Sequence, residues 1–287
     1  MRRRTIALIV AALGFPASVF LVGEVLSHPA HMTIGQPPSD LHAVSVEMYS
    51  ASGQPVFGWM VRGRPGVGAV LLLHGVRANR IEMLDRARFL GSLGYSVLLI
   101  DLPAHGESAG EHITYGIAES QGVAAALAYL SHELPAENIG VIGVSLGAAS
   151  FVLSKPTVPL SAVVLESMYP TIQEAVADRL DIYLGPLGPS LAPFLLWQLP
   201  LRLGISAEQL RPIVALPLLH APLMVVAGSV DRHTTLAETK RIYAAANEPK
   251  EMWIVESAAH VDLYAFNPKA YEEKVATFFV KHLRRIS

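Results

Sequence analysis

The chain contains no cysteine. That excludes a disulfide framework, thiolate-held zinc or iron–sulfur, a thiol nucleophile and a lipidated cysteine, so any chemistry must use Ser, His, Asp, Glu or Lys. Charge is scarce as well: Asp, Glu, Lys and Arg make up 16% of 287 residues, against roughly 25% in an ordinary soluble domain. The 22 basic and 24 acidic side chains leave a net charge of -2. No broad basic field exists to hold a nucleic-acid backbone, and nucleic acid is not expected as a partner. The patterns GxxxxGKS/T, GxGxxG and HExxH are missing, so no nucleotide, dinucleotide or zinc site is expected, and no cofactor or metal is called for. What the chain has in abundance is apolar residues, 52% of the total.

Those residues are not evenly spread. Arg2, Arg3 and Arg4 precede a run without charge from Thr5 to Gly23, and Glu24 is the next ionised group. Such a run matches the roughly 20 residues that a helix needs to cross a bilayer core, and the arginines before it favour a cytoplasmic N-terminus. Residues 1–27 are therefore expected to be a single-pass membrane anchor that leaves the rest of the chain outside the cytoplasm. The alternative is a cleaved signal and a secreted protein, although the apolar run is long for one and Pro29 follows closely on Val25-Leu26-Ser27. Pro29, Gly35, Pro37, Pro38, Ser39 and Asp40 mark residues 28–40 as a linker.

From residue 41 to 287 one domain is expected. LHAVSVEMYS and PVFGWMVR alternate apolar and polar residues around Ser52-Gly53-Gln54, the pattern of an antiparallel hairpin at a sheet edge. GAVLLLHG, YSVLLIDL, NIGVIGVS, LSAVVLES, PLMVVAGS and KEMWIVES are instead continuous, as strands buried on both faces are. Helical patterns over Ile81–Leu93, Glu119–Leu134, Leu146–Leu153, Leu236–Ala246 and Pro268–Leu283 separate them. The alternation predicts an α/β fold: a mostly parallel, eight-stranded sheet with helices on both faces. A Leu- and Pro-rich insertion at about 169–221 predicts a small helical cap over the strand ends, with an apolar substrate pocket or a second membrane contact.

One motif carries chemistry. Gly143-Val144-Ser145-Leu146-Gly147 follows the strand NIGVIG and precedes the helical run LGAASFVL, the context that G-x-S-x-G requires. Glycines at 143 and 147 permit a sharp elbow that exposes the serine oxygen. The start of the helix supplies N–H groups and partial positive charge where an oxyanion would develop.

With this motif the chain resembles an α/β-hydrolase over roughly Val44 to His282. Within that superfamily it is similar to the membrane-anchored bacterial serine hydrolases of the Bem46-like and serine aminopeptidase-like groups. The resemblance implies the order nucleophile, acid, histidine. Ser145, Asp231 after PLMVVAGS and His260 after KEMWIVES stand in that order, each at the end of an expected strand. His260 would take the Ser145 proton and Asp231 would hold the imidazole. The implied oxyanion hole joins the N–H of Leu146 to that of Val76, in His74-Gly75-Val76, which stands like the family's HGx motif. Asp101-Leu102-Pro103-Ala104-His105-Gly106-Glu107-Ser108 resembles the D-x-x-G-H-G-x-S turn, with Ala104 where glycine is usual. Glu166, which ends LSAVVLE, is an alternative acid; Asp262 is too near His260 in sequence for the usual geometry. His74 and His105 fit loop-shaping roles, and His233 is expected to abut the site. Phe194 and Trp197 of the cap are read as packing groups.

The expected function is an esterase-like serine hydrolase acting on a small acyl-ester or lipid-like substrate, with a thioester or amide as variants. The alternatives are a peptidase or aminopeptidase of the same fold, and a catalytically silent hydrolase-fold module bound at the membrane. An intact Ser, Asp and His weigh against the silent module. A serine rather than aspartate nucleophile points away from dehalogenase and epoxide hydrolase chemistry.

Overall fold

The computed structural model describes residues 2–284, and the side chains of 14 and 16–284. The strands are β1 (Ala30–His31), β2 (Ala43–Tyr49), β3 (Pro55–Val61), β4 (Ala69–Leu73), β5 (Ser96–Ile100), β6 (His105–Gly106), β7 (Ile139–Val144), β8 (Ala162–Glu166), β9 (Leu223–Gly228) and β10 (Lys250–Val255). The helices are α1 (Arg2–Ser27), α2 (Leu84–Ser92), α3 (Ile117–Glu133), α4 (Leu146–Leu153), α5 (Ile172–Leu184), α6 (Ala192–Trp197), α7 (Leu199–Leu203), α8 (Pro212–Ala215), α9 (Leu236–Ala245), α10 (Leu263–Phe266) and α11 (Pro268–His282).

Eight strands form one sheet in the order β10-β9-β8-β7-β4-β5-β3-β2. β2 and β3 are the expected antiparallel hairpin, with Ala43 opposite Val61 and Tyr49 opposite Pro55, and β3 runs antiparallel to β5. All other neighbours are parallel. The continuous apolar runs follow from this arrangement, because successive side chains enter two different cores. Leu71 and Leu73 of β4 pack with α3 and α4 residues such as Val123 and Phe151. Val70 and Leu72 pack with Leu90 of α2 and with Val275 and Phe279 of α11. β10 departs from the expectation of two-sided burial: it is an edge strand, mostly half-buried, with Met252 exposed.

Helix starts follow local chemistry. Thr235 and Glu238 form a reciprocal capping box on α9, and Pro268 opens α11 behind the Asn267 cap. The insertion between β8 and β9 forms α5 to α8, the expected helical cap.

The C-terminal end of α1 lies on the cap. Gln198 Nε2 donates to Val19 O at 3.0 Å, Arg202 reaches both Glu24 and Ser27, and the Phe20 and Trp197 rings meet edge-on at 6.3 Å. A Cβ on Gly23 would stand 2.1 Å from Gln198 Oε1, so a larger residue there would displace the Gln198 side chain. Among the described residues no helix is long and apolar enough to cross a membrane. The Thr5–Gly23 span expected above is not supported as a transmembrane helix there: from Val19 onward the helix is engaged by protein, and the side chains before residue 14 lie outside the described residues.

The segment read as a linker is laid along the turn that follows β5. β1 pairs in parallel with β6, and the Ile34 and Gly35 N–H groups both donate to Glu107 Oε1 at 3.0 Å. The turn itself is built on Asp101, wholly buried, which accepts from Arg80 N, Arg80 Nη1 and Glu107 N. Ala104 has φ of 62°. Its left-handed backbone explains why glycine is usual at that place in the motif, and alanine is strained there.

Candidate active site

Ser145 stands between β7 and α4 with φ of 49° and ψ of -108°. Its N–H donates to Glu166 O at 2.8 Å, which ties the turn to the neighbouring strand. The two flanking glycines are required by close approach: a Cβ on Gly143 would meet Ala148 Cα at 2.7 Å, and one on Gly147 would meet His74 O at 2.6 Å. Larger residues would push α4 off the strand, so the strained serine is held by contacts on both sides.

Asp231 and His260 arrive on the loops after β9 and β10. His260 Nδ1 and Asp231 Oδ2 are 2.8 Å apart, and Asp231 Oδ1 accepts the backbone N–H groups of His233 at 2.8 Å and Thr234 at 3.0 Å. Burial pushes the Asp231 carboxyl up, but the hydrogen bond and charge of His260 and the two N–H groups outweigh it, holding it below the usual carboxylate value. Ser145 and His260 line one cavity of about 400 Å³ together with Gly75, Val76, Ser167 and His233. A Cβ on Gly75 would be 3.9 Å from Ser145 Cβ, so the His74-Gly75-Val76 turn lies directly against the serine. Leu146 is the first residue of α4, where a backbone N–H has no acceptor within the helix. Asp231, His233 and His260 hold their ligand atoms within 4.8 Å of one another. They could gather a cation, at the cost of the imidazole nitrogen that proton transfer would use.

Glu166 is engaged elsewhere. It pairs with Arg86, with Nη2 to Oε2 at 2.7 Å, and accepts from the Tyr271 hydroxyl. The carboxylate on His260 is that of Asp231, not Glu166. Asp262 caps α10 and pairs with Arg86 at 2.7 Å. Arg86, Glu82, Ser167 and Arg179 also line the cavity, and the sequence reading missed all four. Arg86 had a signal: with Met83, Ala87 and Leu90 buried around it, it is a charge on the core-facing stripe of a helix, which demands a buried partner. The cap's apolar side chains do not line the cavity, contrary to the expected apolar pocket. Trp197 is 65% exposed and Phe194 48% exposed, and the Trp197 ring packs edge-on against Phe20 of α1.

His74 and His105 serve the loops. His74 Nδ1 contacts Gly75 O at 2.7 Å and its Nε2 accepts from Leu102 N–H at 3.0 Å, which fixes a neutral ring protonated on Nδ1. Burial lowers its pKa to about 3, and that of His105 to about 4. Both folded values lie below the ordinary one near 6.5, so below that pH the unfolded chain binds protons that the folded chain refuses. Their stabilisation is full above about 6.5 and is lost as pH falls toward about 4 and then about 3. Asp178 acts oppositely. Burial and Glu238 raise it to about 7, so the folded chain keeps a proton that the unfolded chain releases. Urea melts at pH 7 and pH 5 should show stability falling on acidification. Asp178→Asn should steepen the fall by about one proton per chain, and an unchanged slope in that variant would contradict the assignment.

A sequence model of the alpha/beta hydrolase family matches residues 70–274. The chain belongs to that family. The Bacillus subtilis protein YqkD is 26% identical over 234 residues, covering 80% of this chain and 76% of its own length. The Mycobacterium tuberculosis protein Rv2307c is 28% identical over 219 residues, covering 76% and 72%. Among solved structures, the Pyrococcus furiosus esterase Pf2001 is similar with a TM-score of 0.74 and 24% identity, over 90% of this chain and 98% of that one. An esterase from Exiguobacterium antarcticum gives 0.60 and 12%, over 82% and 99%. At these identities the likeness to the alpha/beta hydrolases of known structure concerns the fold.

Proposed function

We propose that this alpha/beta hydrolase is a serine hydrolase that cleaves a carboxylic ester through an acyl-enzyme on Ser145. The observation that carries the reading is the 2.8 Å contact of His260 with Asp231 at the cavity that Ser145 also lines. With Nδ1 facing Asp231, Nε2 is the nitrogen left to take the proton of Ser145 Oγ. The serine oxygen then adds to the ester carbonyl. Negative charge on the carbonyl oxygen would be met by the N–H groups of Leu146 and Val76; losing one such donor typically costs about 3 kcal/mol. Collapse expels the alcohol with the proton from His260, and water repeats the cycle to release the acid. Thioesters share this route, and an amide needs the same imidazole to protonate a poorer leaving group.

A fluorophosphonate probe should label the wild-type chain, and p-nitrophenyl esters should be turned over. Asp231→Asn should lower kcat by about 10⁴-fold. A chain that stays unlabelled where control serine hydrolases react would favour a silent binding module, and labelling without ester turnover would favour a peptidase.

We further propose that the N-terminal segment seats the protein at a membrane with its catalytic domain outside the cytoplasm. Arg2 to Arg4 before the uncharged run favour this, as do the exposed Leu21, Trp197 and Leu201 where α1 meets the cap. The full chain should float with phospholipid vesicles; recovery wholly in the aqueous fraction would refute the placement.

A further inference from the structure

The cavity wall contains a cation with no ion-pair partner among the described residues. Arg179, on cap helix α5, lines the cavity and is in no ion pair among the described residues. Its Nη1 donates to Ala175 O at 2.8 Å, within its own helix, which leaves further guanidinium donors. Of the other charged groups of α5, Glu174 pairs with Arg241 and Asp181 with Arg232, while Asp178 stands against the like charge of Glu238.

Ser167 supplies an independent observation on the same wall. It is 4% exposed and has φ of 48°, a conformation that an L residue adopts at a cost. Hydrogen bonds from Ser167 N to Val226 O and from Thr234 Oγ1 to Ser167 O hold the backbone there. Its hydroxyl is buried and has no hydrogen-bond partner among the described residues. A buried hydroxyl left unmatched is unfavourable unless something else, such as a bound ligand, satisfies it. The same cavity wall also carries two acids, Glu82 and Asp262. Asp262 pairs with Arg86, and Glu82 feels the charge of both, so these groups gather beside α2 while Arg179 enters from the cap.

We propose that Arg179 and Ser167 form a carboxylate subsite, so that the preferred ester is a half-ester of a short dicarboxylic acid. The inference rests on the serine-hydrolase reading and names its substrate class. The guanidinium and the hydroxyl receive the free carboxylate, while the ester carbonyl meets Ser145. The acyl-enzyme forms with release of the alcohol, and water then yields the dicarboxylate.

The test compares monomethyl glutarate with methyl pentanoate by pH-stat titration in the wild type, Arg179→Gln, Arg179→Lys and Ser167→Ala. The wild type should show kcat/KM higher for the half-ester by about tenfold or more, expressed mainly in KM. Arg179→Gln should bring the ratio of the two esters to near one, while Arg179→Lys keeps most of it and Ser167→Ala loses part. Binding of glutarate to the Ser145→Ala protein, measured by calorimetry, should weaken about tenfold when Arg179→Gln is added. Turnover of methyl pentanoate with no preference for the half-ester, or a preference that survives Arg179→Gln, overturns this subsite and leaves the serine mechanism standing. Absence of both turnover and fluorophosphonate labelling overturns the mechanism and the subsite with it.

Discussion

Ser145→Ala should lower ester turnover by about 10⁴ to 10⁶-fold, which corresponds to about 5–8 kcal/mol of transition-state stabilisation. The loss is that large because Asp231, His260 and the backbone donors all act through the serine oxygen. With that atom gone they bind substrate but have no nucleophile to activate. Stability should hardly change. The elbow is kept by the Ser145 N–H bond to Glu166 O and by the close approaches at Gly143 and Gly147, none of which involves the hydroxyl. Alanine faces the same backbone strain as serine. Thermal melts within about 1 kcal/mol of wild type, beside lost turnover and lost fluorophosphonate labelling, would separate the chemical role from a structural one. Residual activity above about one per cent would move the nucleophile elsewhere.

Arg86→Met should be the most destabilising of the changes considered. The guanidinium is 2% exposed and holds Glu166, 1% exposed, against Tyr271 and Asp262. Burial works against its charge, but Glu166 and Tyr271 outweigh it and drive its pKa up. Methionine would fill much of the volume yet leave the Glu166 carboxylate buried with the Tyr271 hydroxyl as its remaining side-chain partner. Removing one member of such a pair costs about 3–5 kcal/mol. In a chain of this size the melting temperature should fall by about 10 °C. Arg86→Met with Glu166→Leu should recover much of the loss, because no unpaired buried charge is then left at that site. A single variant that melts within about 1 kcal/mol of wild type would show that solvent reaches the carboxylate.

The parts of the fold that sequence made legible are those governed by period and by short-range geometry. Alternation around Ser52-Gly53-Gln54 gave the hairpin, and unbroken runs such as AVLLL gave strands facing two cores. Ser145, Asp231 and His260 could be named because each stands at the end of such a run in the order that the resemblance to the α/β-hydrolases implies, and the last two meet in space. The illegible parts depend on distant partners. Nothing near Ala30 announces that it will pair with His105, and nothing near Arg179 announces the cavity. β10 reads like an interior strand because its apolar side chains pack against α11, although no strand covers its outer edge. The apolar insertion pointed to an apolar pocket, whereas its exposed leucines face α1 and solvent. An apolar count does not say which way a side chain points.

The seat of α1 on the cap joins two processes that sequence would treat as separate. Gly23, Leu26 and Ser27 share a crevice with Ile172 and Val176, on the helix that also carries Arg179 into the catalytic cavity. Cleavage after Ser27 would uncover the Gln198 amide and the Arg202 guanidinium and remove a wall from beside that helix. The seating of α1 and occupancy of the subsite would then be coupled equilibria. A ligand that steadies Arg179 should hold α1 more firmly on the cap, and a seated α1 should tighten that ligand by the same factor.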